Sequence, residues 1–237
     1  NPIFRYRQGA GDLVAVSKRC LASGNGGAIS TYSGSFAIAS STFSGCTATQ
    51  SGGAIDNYGG TMTVTSSTFT GNSAAHGGAI DTQSSGSSVH FSRFYQNTAP
   101  GNDVIHSPTN EFDARNNWWG TNDGYSGMIL GSYLADPWLV LGITAEPPAV
   151  NTAQTSVIRT NLTFDSTGGD TSAMGLVPDG ITTTFAVTSG SGSVSPGTDG
   201  TINGVAQTTF TPMYGEAVTI SGTVDDQPVY ITLSVTQ

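Results

Sequence analysis

The sequence predicts an all-β chain in two parts, a short parallel β-helix followed by a β-sandwich, and three observations carry that prediction. Gly-Gly-Ala-Ile is written three times, at residues 26–29, 52–55 and 77–80. A separate phenylalanine ladder, Phe43, Phe69 and Phe94, keeps the same steps of 26 and 25 residues. After "EPPAV" at 146–150 both ladders stop, and short alternating segments separated by Gly, Pro and Asp turns take over.

Taken in order, the first segment offers "IFRYR" and "LVAVS", which alternate as strands do, and no amphipathic helix. Next come the repeats. Ile29, Ile55 and Ile80 are joined 25 residues later by Ile105 of "NDVIHS", a fourth copy with its glycines replaced by Asn102 and Asp103. A period near 25 that returns the chain to the same lateral position describes one coil stacked on the last at the strand spacing of about 4.8 Å. The glycine pair then marks a corner taken through positive φ, after which Ile enters a strand and points inward. Asn and Asp are the residues that best tolerate the same backbone region in the fourth copy. Between corners, segments such as "GTMTVTSSTF" are short, β-branched and alternating. Trp118, Trp119 and Trp138 fall where the last coil closes and are expected to cap the apolar bore.

The pairing of Gly-Gly-Ala-Ile with Phe-x-x-Asn, as in "FTGN" at 69–72 and "FYQN" at 94–97, resembles the repeat of chlamydial polymorphic outer-membrane proteins. The closing "FDARNNWWGTNDG" at 112–124 resembles the end of β-helices in adhesin-like surface proteins of methanogenic archaea. Together these resemblances cover roughly residues 20–140. They imply a right-handed parallel β-helix displayed on a cell surface, and they bring no catalytic residues. The chain departs from the pattern at "FSGC", where Cys46 replaces Asn.

That departure has a consequence for Cys20. It lies 26 residues before Cys46, the step from Ile29 to Ile55, so the two cysteines occupy one ladder position in neighbouring coils. Stacked at about 4.8 Å they fall within disulfide reach. A bond is expected, with two buried free thiols as the alternative. Below them Asn72 and Asn97 continue the ladder and are expected to satisfy buried polar groups with their amides.

From residue 143 to the end, "ITTTFAVTS", "GVAQTTFTP" and "VYITLSV" read as sandwich strands. The stretch "PDGITTTFAVTSGSGSVSP" with its successors resembles the bacterial immunoglobulin-like modules of invasin-type adhesins, which implies a spacer or docking module. The expected division is a β-helix over 1–142, its residues 1–16 serving as an assembly strand, and an immunoglobulin-like sandwich over 143–237. The second part holds eight acids against Arg159 alone. The only lysine, Lys18, lies outside it, so no lysine-derived isopeptide can form there.

Composition narrows function. Charged residues make up only 10% of the 237, and the net charge of -9 disfavours partners bound through phosphate backbones. Nucleic acid is therefore not an expected partner. The most apolar run, "MILGSYLADPWLVLGI", is broken by Asp136 and Pro137, so no membrane span is expected. No charged-then-apolar leader is present, which places any signal or anchor outside this sequence.

The residues after the ladder isoleucines read Ser30, Asp56, Asp81 and His106, two carboxylates and an imidazole on one face. Three readings apply: an acid and base pair as in carbohydrate-active β-helices, contact with a cation or glycan, or solvated turn residues that the repeat supplies by itself. The last is favoured, with Asp56, Asp81 and His106 kept as candidate cation or glycan contacts. His76 and His90 belong to different ladder positions and lack a third ligand, so no metal site and no cofactor are expected. Asn161-Leu162-Thr163 is a sequon, making Asn161 a candidate for N-glycosylation. The expected function is that of a non-enzymatic extracellular structural or adhesive protein at the cell surface, a self-assembling filament or stalk subunit. Its expected partners are other copies of itself, associating head-to-tail, and glycans of a host or neighbouring cell. The alternative is a polysaccharide lyase or hydrolase with an accessory sandwich.

Overall fold

A computed structural model describes residues 12–13 and 16–237. Among these the chain is all strand and turn, without a helix. Contacts divide it into two compact units: the first runs to Leu139, and the second comprises residues 120–122 and 140–237. The expected assembly strand of residues 1–16 lies almost wholly outside the described residues.

The first unit is a parallel β-helix of about four coils. One ladder pairs Ile29, Ile55, Ile80, Ile105 and Ile129 in register. A second pairs Phe36–Ala39 with Met62–Thr65, which continues to Ser88–His90. The third stacks Phe43 on Phe69 on Phe94. The long strand Ile105–Asp113 runs through the first two faces and merges them into one sheet. Alternation sends every second side chain into the bore, where the isoleucines, Met62, Val64, Val89 and the phenylalanines are fully buried. Their rings stack with centroids 5.1 and 4.9 Å apart, and Trp119 extends the column beyond Phe94 at 4.8 Å.

The two glycines of each corner act differently. Gly26, Gly52 and Gly77 take φ of 61, 63 and 56°. A Cβ on any of them would strike the carbonyl of the isoleucine three residues on. Gly27, Gly53 and Gly78 are outside the left-handed region but touch the next coil: a Cβ would meet the carbonyls of Gly53, Gly78 and Thr98. The first glycine is needed for its backbone, the second for its lack of a side chain. In the fourth copy Asn102 supplies the left-handed turn, with φ of 63°. Asp103 does not, contrary to expectation. It replaces the close-packing glycine, and its Oδ2 accepts the Gly77 N–H at 2.8 Å.

Cys20 and Cys46 are bonded across neighbouring coils, with Cα atoms 4.3 Å apart. The amide ladder below them works as a relay. Asn72 Oδ1 accepts the Cys46 N–H, and Asn72 Nδ2 donates to Phe43 O and to Asn97 Oδ1. Asn97 repeats the arrangement one coil on, donating to Phe69 O. The spacing Phe-x-x-Asn thus lets each Asn bond the phenylalanine carbonyl of the previous coil and satisfy a corner that water cannot reach.

The second unit is an immunoglobulin-like β-sandwich. One sheet orders Leu139–Glu146, Ser156–Asp165, Val205–Pro212 and Gly192–Ser195; the other orders Ala149–Asn151, Gln227–Thr236, Ala217–Val224, Thr182–Ser189 and Thr198–Gly200. Val205–Pro212 alternates buried and exposed residues along its length, as a strand with one wet face must. Ile158, Phe210, Val218, Ile220 and Leu233 fill the space between the sheets.

Candidate functional site

Parallel register puts Ser30, Asp56, Asp81 and His106 in one column on the outer side of the isoleucine strands. The expectation of solvated turn residues fails here, because Asp56 and Asp81 are each only 1% exposed. The glycine corner is the cause. Its left-handed residue folds the chain back over the strand that follows, so a Cβ on Gly26 would touch Ser30, and one on Gly52 or Gly77 would touch the amide nitrogen of Asp56 or Asp81. The residue ahead of each glycine pair is thereby laid across the column. Asn25 hydrogen-bonds Asp56, and His76 stacks on His106 with ring centroids 5.2 Å apart.

Buried carboxylates so placed resist ionisation. Burial pushes the Asp56 carboxyl up to about 6, the Asp81 charge adds to the rise, and hydrogen bonds from Ser30 and Asn25 oppose it. Ser30 Oγ donates to Asp56 Oδ2 at 3.2 Å. Burial also raises Asp81, against the pull of His106, whose Nδ1 donates to Asp81 Oδ2 at 2.6 Å. Asp81 Oδ1 is buried without a hydrogen-bond partner. Asp103, 2% exposed, closes the group. One ligand atom from each of His76, Asp103 and His106 lies within 4.8 Å of the others.

Asp81 and His106 are thus brought together as the sequence suggested, Asp56 stands one coil away, and a glycan is kept from both carboxylates by their burial. His76 and Asp103 were not expected in the group. For His76 a signal was present: the residue before Gly-Gly in one copy meets the residue after Ile in the next, a step of about 30 rather than 25. His90 is held elsewhere, by Arg115 O at 3.0 Å and Asp113 at 3.7 Å. Asn161 lies within the strand Ser156–Asp165, opposite Val205, with its Oδ1 enclosed, so the sequon is presented on a sheet and not on a loop.

These features define a class: a β-solenoid with polar ladders sealed beneath its corners, joined to an immunoglobulin-like sandwich. Comparison with known proteins adds one motif to that description. Residues 66–83 match the Chlamydia polymorphic membrane protein repeat, a span running from the phenylalanine strand Thr68–Thr70 through the glycine corner to the isoleucine strand Ile80–Thr82. No curated protein matches the chain. Among solved structures, the D00-D0 domain of intimin is 13% identical over 46% of this chain and 54% of that one, with a TM-score of 0.34. Domains 4 and 5 of the S-layer protein SbsC are 17% identical over 44% and 49%, with a TM-score of 0.30. This chain spans about half the length of each. No helix among the described residues is long and apolar enough to cross a membrane.

Proposed function

We propose that this chain is a non-enzymatic structural or adhesive protein of an extracellular surface, and that it assembles by strand addition at its first coil. The observation that carries the reading is the state of that coil. Among the described residues, Val16–Lys18 and Ile29–Thr31 each pair on one side only and end their ladders. Val16, Leu21 and Tyr32 around them are 65%, 60% and 69% exposed. A sheet edge flanked by exposed apolar side chains is a template for another strand. A strand of matching period fits that edge, supplied by a second copy of this chain or by further coils of the same repeat in a longer stalk.

Two further features support the surface reading. A disulfide joins coils that already hold together by hydrogen bonds, which fits an oxidising compartment. The matched repeat carries the name of a membrane protein. The polysaccharide-cleaving alternative loses its acid and base, because buried Asp56 and Asp81 are shielded from a polymer.

Light scattering and electron microscopy of the full chain, beside a variant lacking residues 1–11, test the proposal. Concentration-dependent oligomers or filaments whose formation changes with the deletion are expected. An intact chain that stays monomeric at high concentration overturns strand addition.

A further inference from the structure

The group of His76, Asp103 and His106 is put to no use by a purely structural β-helix. We propose that these three residues bind a divalent metal ion of the zinc class and that the ion clasps the third and fourth copies of the glycine corner together.

The donor set fits that chemistry. Two imidazoles and one carboxylate are ligands of borderline ions such as Zn²⁺, whereas Ca²⁺ and Mg²⁺ take oxygens almost alone. Bonds of about 2.1 Å to a tetrahedral ion place ligand atoms roughly 3.4 Å apart. Atoms already within 4.8 Å reach that spacing by small side-chain rotations, to which the exposed His76 can contribute.

The other two ligands are already oriented. In the tautomer whose Nδ1–H donates a hydrogen bond to Asp81 Oδ2, the His106 Nε2 lone pair is left for a metal, the carboxylate–histidine arrangement typical of ligating imidazoles. Asp103 is steadied by the Gly77 N–H on Oδ2, one residue from His76.

An independent observation points to a cation. Asp81 is 1% exposed, its Oδ1 has no hydrogen-bond partner, and its Oδ2 meets His106 of the metal-binding group. A buried carboxylate oxygen left without a hydrogen-bond partner is costly at low dielectric. A divalent ion among the three ligands would set a positive charge beside it. The clasp also has a covalent counterpart, since Cys20–Cys46 ties two earlier coils by the same one-coil step.

The test uses the full chain stripped with a chelator, dialysed and titrated with Zn²⁺ by calorimetry, then with Co²⁺ while the visible absorption is followed. One equivalent of Zn²⁺, a raised melting temperature and a cobalt band with imidazole character are expected. His76→Ala changes an exposed residue and leaves the fold intact, yet should weaken Zn²⁺ by about tenfold or more. His90→Ala should bind as the parent does, and Ca²⁺ in about tenfold excess should not compete. Asp81→Asn should shift the cobalt band, because it alters the hydrogen bond that orients the His106 ring. Absence of saturable Zn²⁺ binding, or binding undiminished by His76→Ala, overturns the site; an unchanged cobalt band in Asp81→Asn overturns the role given to Asp81.

Discussion

Asp56 shows how a repeat can create an electrostatic cost at a single residue. Its ladder position is polar in the four copies from Ser30 to His106, yet the corner folded over it removes the water that would solvate a charge. Its carboxyl therefore titrates near 6, above the ordinary 3.8, so the folded state holds the proton more tightly than the unfolded one. The resulting stabilisation is present in full below about pH 4 and is lost as the pH rises through about 6. The charged group facing Asp56 is Asp81, whose own shift acts in the same direction. Asp56→Asn keeps an acceptor for Ser30 and removes the charge. It should flatten the decline in melting temperature between pH ~4 and ~6 and leave the variant at least as stable as the parent near neutrality, which a calorimetric pH series will read. Asn72 is the opposite case, a buried polar residue with every group bonded. Asn72→Ala strands the Cys46 amide and the Phe43 carbonyl, and denaturant melts should show a loss on the order of 3 kcal/mol.

Coils are held together by stacking of like on like. Phe69 lies between Phe43 and Phe94, fully buried and with a ring on either face. Phe69→Ala should cost roughly 3–5 kcal/mol, because coils locked in register by their hydrogen bonds cannot collapse into the space left behind. Denaturant unfolding measures that loss. The disulfide acts on the same element through the unfolded chain. Its loop of 26 residues implies that replacing both cysteines by Ser costs on the order of 2–4 kcal/mol. Mass spectrometry without reductant should find no alkylatable thiol in the folded protein.

The whole molecule carries two separate cores, one of stacked isoleucine and phenylalanine ladders and one between two sheets. Both cysteines belong to the first. Calorimetry should therefore resolve two transitions, and a reductant should lower one while leaving the other in place. A single transition that moves as a whole with reductant would show that the two cores melt as one.

The ladders were legible in the sequence because a β-helix coil repeats its environment, so equal spacing becomes equal position. Ile29, Ile55 and Ile80, Phe43 and Phe69, and Cys20 with Cys46 could all be placed by counting. Alternating segments after residue 146 likewise announced a sandwich, since a strand with one wet face must alternate. What counting could not supply was the path of the chain between ladders. The corner's left-handed glycine bends the backbone across the outer side of the next strand, which turned expected surface carboxylates into buried ones. It also brought His76 to His106 across a step no ladder contains, and only folding set Asp103 beside them, in the place of a glycine whose side chain its neighbours would have forbidden. Periodicity fixes which residues lie above one another; the turn between periods decides what covers them, and at Asp56 and Asp81 burial and charge depend on the cover.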